Sequence, residues 1–469
     1  MNPVTPRELI EVLGRPLAQM PAELELCPVQ VPFKVEISPP GSKSLTNRAL
    51  LLAALSNGEV TLDHCLIEAV DARVMIEALR QLGATITVEN EKSGRLRVVG
   101  AGGKLKGGQT LQLQNAGTAT RFLAAVVCLA DAPVVIDGNE RMRQRPIGEL
   151  AAMLRSLGIT VEELGRPGFV PLRIHPCRPD GGVLEVGITQ SSQFISALMM
   201  LAPFTAKGIE FRFLSEPTSR SYIEMTETLM SRACTGYTPD YYLKDGGVRM
   251  PPKPDLTMND YRVEPDASGA TYFFGAAAVI PGSRCLVQGM GLNSLQADAE
   301  FVMVMDSMGA HGKQCCDDDL VESRGALHGT LKDMSLMPDA AMTAAAVACF
   351  ATGTTELRGL RTLRVKETDR LAAMQTELSK LGVRVEIESY TNKDGVKDEL
   401  IRITPPTVGI DCSAAAPRVV FDTYDDHRMA MSLAIIGLRR PNVVIRDPAC
   451  VAKTYPTFWN DWARLYCGK

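Results

Sequence analysis

The sequence predicts an α/β protein of two domains, each assembled from three copies of one repeated unit. Three observations lead there. The chain has 469 residues, more than one hydrophobic core usually supports. Six polar clusters, each followed by a run of small apolar residues, recur at nearly constant spacing. Between them lie amphipathic stretches that end in glycine, as helices often do.

The clusters come in order. Ser42-Lys43-Ser44 with Asn47-Arg48 precedes ALLLAAL, and Asn115-Ala116-Gly117-Thr118 with Arg121 precedes LAAVVCLA. Gln190-Ser191-Ser192-Gln193 leads into ISALMMLA, and Asp266-Ala267-Ser268 into YFFGAAAV. Asp339 stands before AMTAAAVACF, and Asp425-Asp426-His427-Arg428 before MAMSLAII. From Gly41 through Ala116, Ser191, Ala267 and Asp339 to Asp426 the steps are 75, 75, 76, 72 and 87 residues. Each apolar run reads as a helix buried on most sides, followed by a β-branched strand such as GEVTLDHC, APVVIDG or GTTELRG. Then DARVMIEALRQLG, IGELAAMLRSLG, AEFVMVMDSMG and DRLAAMQTELSKLG read as amphipathic helices, with strands such as ATITVEN and VRVEI after them. A repeat this long, with two dissimilar helices, is a small subdomain rather than a solenoid turn. The boundary is expected between the third and fourth units, near Pro251-Pro252 and Pro254, where the polar stretch Thr257 to Asp260 also breaks the periodicity.

Composition narrows the class. A net charge of −4 gives no basic excess for nucleic acid or an anionic membrane surface. No apolar run approaches the roughly 18 residues of a membrane span, and glutamates at 8, 11, 23 and 25 are unlike a signal or transit peptide. The twelve scattered cysteines hold no CxxC pair, so they read as reduced thiols, with Cys315 and Cys316 in a loop or strand end. Five dispersed histidines offer no metal cluster. The expectation is a cytoplasmic protein.

The helix starts carry charge of the unexpected sign. Exposed N–H groups and the helix dipole favour acidic or hydroxyl residues there, yet Lys43, Arg48 and Arg121 lie in or beside first turns. Cations make sense at that place when an anion is bound, because N–H, hydroxyl and guanidinium groups then donate to the same oxygens. Arg143 and Arg145 before Pro146, read as a first helical residue, extend the pattern. So do Ser219-Arg220-Ser221-Tyr222, the group Arg364, Lys366 and Arg370, and Arg428 with Lys453. GSKS is not the end of a nucleotide-binding GxxxxGK[ST] loop, since Ser42 replaces the glycine before the lysine.

PGSKSLTNRALLLAAL, NAGTATRFLAA, RQRPIGEL, SSQF, PDAAMT, RVKETDRL and YDDHRMAMS together resemble the EPSP synthase (3-phosphoshikimate 1-carboxyvinyltransferase) family, from about Pro40 to about Pro456. The resemblance implies transfer of the enolpyruvyl group of phosphoenolpyruvate to the 5-hydroxyl of shikimate 3-phosphate, with release of phosphate, on the way to chorismate. The implied transfer passes by addition and elimination through a tetrahedral intermediate, in a monomer acting on small molecules without metal or organic cofactor. It also implies the two-lobed inverted α/β fold, with three βαβαββ-type units per lobe and the active site in the inter-lobe cleft. One lobe would span residues 42–262, and the other 1–41 plus 263–469.

By the same resemblance shikimate 3-phosphate is held by Lys43, Ser44, Arg48, Ser191, Ser192, Gln193, Ser219, Tyr222, Asp339 and Lys366, with Arg48 on its carboxylate. Phosphoenolpyruvate falls to Lys43, Asn115, Gly117, Arg145, Gln193, Arg370, Arg428 and Lys453. Asp339 becomes the base on the 5-hydroxyl and Glu367 handles the methylene proton, with Lys43, His427 and Lys453 near the transferring charge. Two positions depart from the family pattern. Thr362 stands where bacterial relatives often carry asparagine, and Phe122 where many carry proline, beside the region that meets the inhibitor glyphosate. The sister enzyme that acts on a UDP-amino sugar shares fold and donor but not the KSxxNR, SSQ and KETDR combination. The stretch from Met1 to Gln30, with its ELIEVLGRPLAQM pattern, is expected to form a short amphipathic helix packed on a lobe.

Overall fold

The computed structural model describes residues 4–242 and 246–467. The chain divides into two compact units, Gly41–Glu264 and a discontinuous one made of Met1–Pro40 and Pro265–Lys469.

The chain begins with α1 (Pro6–Leu13), set by a Thr5–Glu8 capping box. It buries Leu9 and Leu13 and packs against the last helix of its unit, as the amphipathic pattern predicts; residues 1–3 of that stretch lie outside the described residues.

In Gly41–Glu264 the helices are α2 (Lys43–Leu55), α3 (Val70–Gln81), α4 (Gly117–Val126), α5 (Gly148–Ser156), α6 (Ser192–Leu201) and α7 (Arg220–Ala233). Every residue of α4 is buried, and in α2 and α6 the residues left partly open are Lys43, Ser44 and Gln193 at the N-termini. Alanine and leucine give these helices no polar face to show water, so they form the core, and only their first turns reach out. The amphipathic α3 and α5 end before Gly83 and Gly158, whose φ values of +104° and +83° suit a left-handed terminus.

Three four-stranded sheets share one topology. A parallel edge strand lies beside a central strand, which pairs antiparallel with the second strand of a hairpin. Thr110–Gln112, Val134–Asp137, Leu172–Ile174 and Val161–Glu163 form one in that order. Gly182–Val186, Ile209–Phe213, Gly247–Met250 and Asp240–Tyr242 form another. In the first repeat the edge strand comes from the far end of the unit, with Tyr261 opposite Leu62 and Arg262 opposite Asp63.

The discontinuous unit repeats the design with α8 (Ala267–Val279), α9 (Phe301–Ser307), α10 (Ala341–Ala348), α11 (Arg370–Ser379), α12 (His427–Gly437) and α13 (Phe458–Cys467). Every residue of α8, α10 and α12 is buried, and the three pack on one another. Lys34–Ile37 supplies the parallel edge beside Arg284–Gln288, and Leu331–Asp333 the one beside Thr355–Arg358. Among the described residues the last repeat shows no hairpin of its own. Instead Glu23–Leu26 pairs antiparallel with Val443–Arg446, whose parallel neighbour is Val419–Phe421.

Two local expectations change. The proline cluster at 251–254 does not end a unit: Lys253 N–H donates to the Pro203 carbonyl at 2.7 Å, and Thr257 and Met258 bridge to Asn57 and Cys234. Pro146 is not the first residue of α5, because Ile147 (φ −141°, ψ 0°) intervenes as N-cap and the helix starts at Gly148. Cys315 and Cys316 lie in the turn between His311–Gln314 and Asp318–Glu322. Among the described residues no helix is long and apolar enough to cross a membrane.

Candidate functional site

In both units an edge strand runs directly into a buried helix, and the polar clusters occupy those junctions. Backbone strain collects at these and at other helix starts of the two units. Gln114, Ser219, Tyr424, Asp425 and Asp447 are left-handed residues without being glycine, with φ between +47° and +58°, a conformation that costs about 1–3 kcal/mol each. They stand immediately before or at Asn115, the start of α7, Asp426 and the turn that carries Lys453.

In Gly41–Glu264, Lys43 is the first residue of α2, its Nζ 3.5 Å from the Asp71 carboxylate on α3. Arg145 donates through Nη1 to the carbonyl and side-chain oxygens of Asn115, at 3.2 and 3.1 Å, while its buried Nε has no hydrogen-bond partner among the described residues. Arg121 donates to Gln193 Oε1 at 2.8 Å, and Gln193 Nε2 to Thr118 Oγ1 at 3.2 Å. A side chain on Gly117 would meet the Arg145 and Arg121 guanidinium nitrogens at 2.7 and 2.8 Å, so glycine is what lets both arginines approach the helix start. Ser191 caps α6 by accepting from Gln193 N–H, Ser192 opens that helix, and Ser219 caps α7 ahead of Tyr222.

Arg48 is placed differently from a surface carboxylate clamp. It is 1% exposed, and donates to Thr226 Oγ1, Ser196 Oγ and the carbonyls of Ser44 and Tyr222 at 2.7–3.2 Å. Its guanidinium lies 5.1 Å from the Phe122 ring centre, and burial pulls its pKa down to about 10. Phe122 is therefore a support for Arg48.

In the discontinuous unit Arg370, the first residue of α11, is also 1% exposed and touches three carboxylates. Its Nη1 is 2.7 Å from Asp339 Oδ1 and its Nη2 3.0 Å from Glu367 Oε2, while Nε and Nη2 reach both oxygens of Asp426. Lys366 is 3.3 Å and Arg428 3.2 Å from Asp339, and Lys453 is 3.3 Å from Glu367. Burial pushes the Asp339 carboxyl upward, but Arg428, Lys366 and Arg370 outweigh it and hold the group well below the usual carboxylate range. Burial lowers the Lys366 ammonium, with Asp339 opposing. Asp426 caps α12 through Arg428 N–H, and the buried His427 has Nδ1 3.6 Å from Asp426 Oδ1, too long for a hydrogen bond. Four cations thus interleave with three carboxylates, and Asp298 and Asp425 lie within electrostatic reach as well, so an anion would have to compete for the cations.

Sequence reasoning did not give Asp426 a role, although it lies inside the YDDHR cluster. It also passed over Tyr272, whose hydroxyl accepts from Arg428 Nη1 at 3.3 Å, and Asp298, pushed up to about 6 by burial and bonded by Ser268. Tyr272 sits in an apolar run and Asp298 in the polar stretch NSLQADAE, and neither belongs to a motif. Arg143 and Arg364 are corrections of the opposite kind. Arg143 pairs with Asp137, and Arg364 with Glu399 and Asp369, so neither is a bare cation at a helix start. Thr362 Oγ1 is buried without a hydrogen-bond partner among the described residues. Those residues include no cluster of His, Cys, Asp and Glu arranged to hold a metal ion.

The fold is shared with enolpyruvyl transferases of known structure. EPSP synthase from Acinetobacter baumannii superposes with a TM-score of 0.74 at 24% identity, covering 93% of this chain and 96% of that one. The enolpyruvyl transferase NikO from Streptomyces tendae gives 0.68 at 16% identity, covering 94% and 96%. Within that class, the family described as EPSP synthase (3-phosphoshikimate 1-carboxyvinyltransferase) matches residues 29–462. The 3-phosphoshikimate 1-carboxyvinyltransferase of Yersinia pseudotuberculosis serotype O:3 is 42% identical over 433 residues, 91% of this chain and 95% of the relative. That of Escherichia coli O17:K52:H18 is 41% identical over 436 residues, 92% and 96%. The chain belongs to the EPSP synthase family.

Proposed function

We propose that this chain transfers the enolpyruvyl group of phosphoenolpyruvate to the 5-hydroxyl of shikimate 3-phosphate and releases phosphate, a step of the shikimate pathway. The observation that carries the reading is Arg370 forked onto Asp339 and Glu367, each carboxylate backed by a lysine. The reaction needs two proton-transfer groups held apart at fixed spacing beside an anionic donor, and that arrangement supplies them.

In the addition, Asp339 accepts the 5-hydroxyl proton as the oxygen bonds to the phosphate-bearing carbon of phosphoenolpyruvate. Glu367, in its acid form, delivers a proton to the methylene carbon. In the elimination, the bond from that carbon to the phosphate oxygen breaks, the phosphate leaves with the proton that Asp339 accepted, and Glu367 takes a proton back from the methyl group as the double bond re-forms. Lys453, against Glu367, offsets charge as the phosphate departs, with Lys43 and His427 assigned the same duty. Asp339 gripped by three cations is a weak base. Anionic substrate oxygens on Arg428, Arg370 and Lys366 would compete for those cations and raise its basicity, so substrate binding itself would switch the base on.

The Gly41–Glu264 groups serve the same reaction in this reading. Lys43, Asn115, Gly117, Arg145 and Gln193 hold phosphoenolpyruvate together with Arg370, Arg428 and Lys453. Lys43, Ser44, Ser191, Ser192, Gln193, Ser219, Tyr222, Asp339 and Lys366 hold shikimate 3-phosphate. Arg48 acts on it from behind, by fixing the Ser44 and Tyr222 backbone. The enzyme works as a cytoplasmic monomer without nucleic acid, and light scattering at about the chain mass of 50.8 kDa checks its oligomeric state. The test of function follows phosphate release from phosphoenolpyruvate with shikimate 3-phosphate or a UDP-amino sugar as acceptor. Release is expected with the first alone, and equal release with both would overturn the reading.

A further inference from the structure

We infer that Cys128 and Cys177 form a peroxide-sensitive disulfide site in the unit Gly41–Glu264, away from the groups assigned to the transfer reaction. Cys128 lies in the 3-10 turn Val127–Leu129 that prolongs α4 and is fully buried. Cys177 follows the strand Leu172–Ile174 and is half-buried, so a small oxidant can reach it.

The backbone sets the two at bonding distance. Cys177 N–H donates to the Cys128 carbonyl at 2.8 Å, and the bond lengths on either side of that hydrogen bond keep the two α-carbons within about 7 Å. A disulfide needs about 4.4–6.8 Å. The two thiols also act on each other's proton, with Cys128 raised and Cys177 lowered, as neighbouring sulfurs do. Cys128 Sγ also donates to the Ala125 carbonyl at 3.3 Å, one turn back along the helix. The neighbouring Cys128 thiol holds the Cys177 thiol below its ordinary value, whereas burial raises Cys65, Cys234, Cys285 and Cys349. Reactivity follows thiolate character and access, and Cys177 combines both with a resolving thiol beside it.

The chemistry balances with hydrogen peroxide as oxidant. The Cys177 thiolate attacks one peroxide oxygen, the O–O bond breaks, and hydroxide leaves and is protonated to water. The Cys128 sulfur then attacks the sulfenic sulfur of Cys177. The S–S bond forms, the S–O bond breaks, and a second water departs with the Cys128 proton. Each sulfur loses one electron, and the peroxide is reduced to two waters. The link would tie the end of the helix that starts at Gly117 to the strand that closes its own sheet.

The experiment exposes the whole protein to hydrogen peroxide, blocks remaining thiols under denaturing conditions, and maps the digest by mass spectrometry. A linked pair of peptides containing Cys128 and Cys177 is expected, cleaved by reductant and lost in Cys177→Ser. Recovery of both cysteines as blocked thiols under peroxide that oxidises the exposed Cys316 or Cys467 would overturn the proposal, as would sulfinic acid at Cys177 without a link. Cys177→Ser keeps the test workable, since Cys177 is half-buried and its replacement leaves the packed Cys128 untouched.

Discussion

Arg370 grips Asp426 through a two-point pair, Nε to Oδ2 at 2.8 Å and Nη2 to Oδ1 at 3.1 Å, with both side chains removed from solvent. Asp426 also caps α12. The pair therefore fixes the arginine that holds Asp339 and Glu367 to the helix that carries His427 and Arg428. Replacing Asp426 by Ala removes a cap worth about 1 kcal/mol and weakens the pairing of a buried charge, a class of change that costs about 3–5 kcal/mol. The remaining Asp339 and Glu367 contacts keep the expected loss near the lower figure, about 3 kcal/mol by chemical denaturation. A loss under about 1 kcal/mol would show that the fork is not held by Asp426.

Asp339→Asn and Glu367→Gln remove proton transfer while keeping shape. Each is expected to lower kcat by about 10²–10⁴-fold and to leave KM within a few-fold, as steady-state kinetics would show. A large rise in KM with kcat intact would return both residues to a structural role. Because Asp339 is depressed in the folded protein, its stabilising contribution is full above its unfolded value near 4. It is lost only as pH falls through the lower folded value. Any fall of ligand-free stability between pH 5 and 7 must then have another origin.

Gly117→Ala places a methyl group against two guanidinium groups that cannot both stay put. The helix itself gains from alanine, so stability is expected within about 1 kcal/mol of the parent. The KM for phosphoenolpyruvate should rise about tenfold or more, equivalent to about 1.4 kcal/mol of binding, with the KM for shikimate 3-phosphate less affected. Equal shifts in both would move Gly117 out of the donor site.

Asp319 gives a pH dependence of opposite sign. It is wholly buried on a core-facing position of Asp318–Glu322, and neither carboxylate oxygen has a hydrogen-bond partner of good geometry among the described residues. Burial raises it to about 7, with Gln314 easing and Asp318 adding to the shift. The native state thus keeps a proton that the unfolded chain has lost, and stability should fall as pH rises from about 4 to about 7, then level off. Asp319→Asn should remove that slope and stabilise the protein at pH 8 by roughly 2–4 kcal/mol. Identical urea midpoints for parent and variant at pH 8 would contradict it.

Much of this was legible in the sequence because burial writes itself into composition. A helix with no polar face, as in YFFGAAAV or AMTAAAVACF, announces a core position wherever it occurs, and glycine after α3, α5, α9 and α11 marks a left-handed terminus. The spacing of the polar clusters then located every buried helix start. What stayed hidden depends on partners distant in sequence. Arg48 reads as an exposed cation until Thr226, Ser196 and Phe122 are seen around it. Arg143 and Arg364 look like anion ligands until Asp137 and Glu399 are brought beside them. Tyr272 lies in an alanine-rich run that gives no hint of a polar contact, and the ending of the last repeat on Glu23–Leu26 joins strands more than 400 residues apart.

The account rests on one transfer. Proton and phosphorus NMR of the protein with phosphoenolpyruvate and shikimate 3-phosphate follows it directly. One enolpyruvyl ether of shikimate 3-phosphate should appear for each inorganic phosphate released, with no free pyruvate. Phosphate released together with pyruvate, while shikimate 3-phosphate stays unmodified, would make the protein a hydrolase and contradict the account.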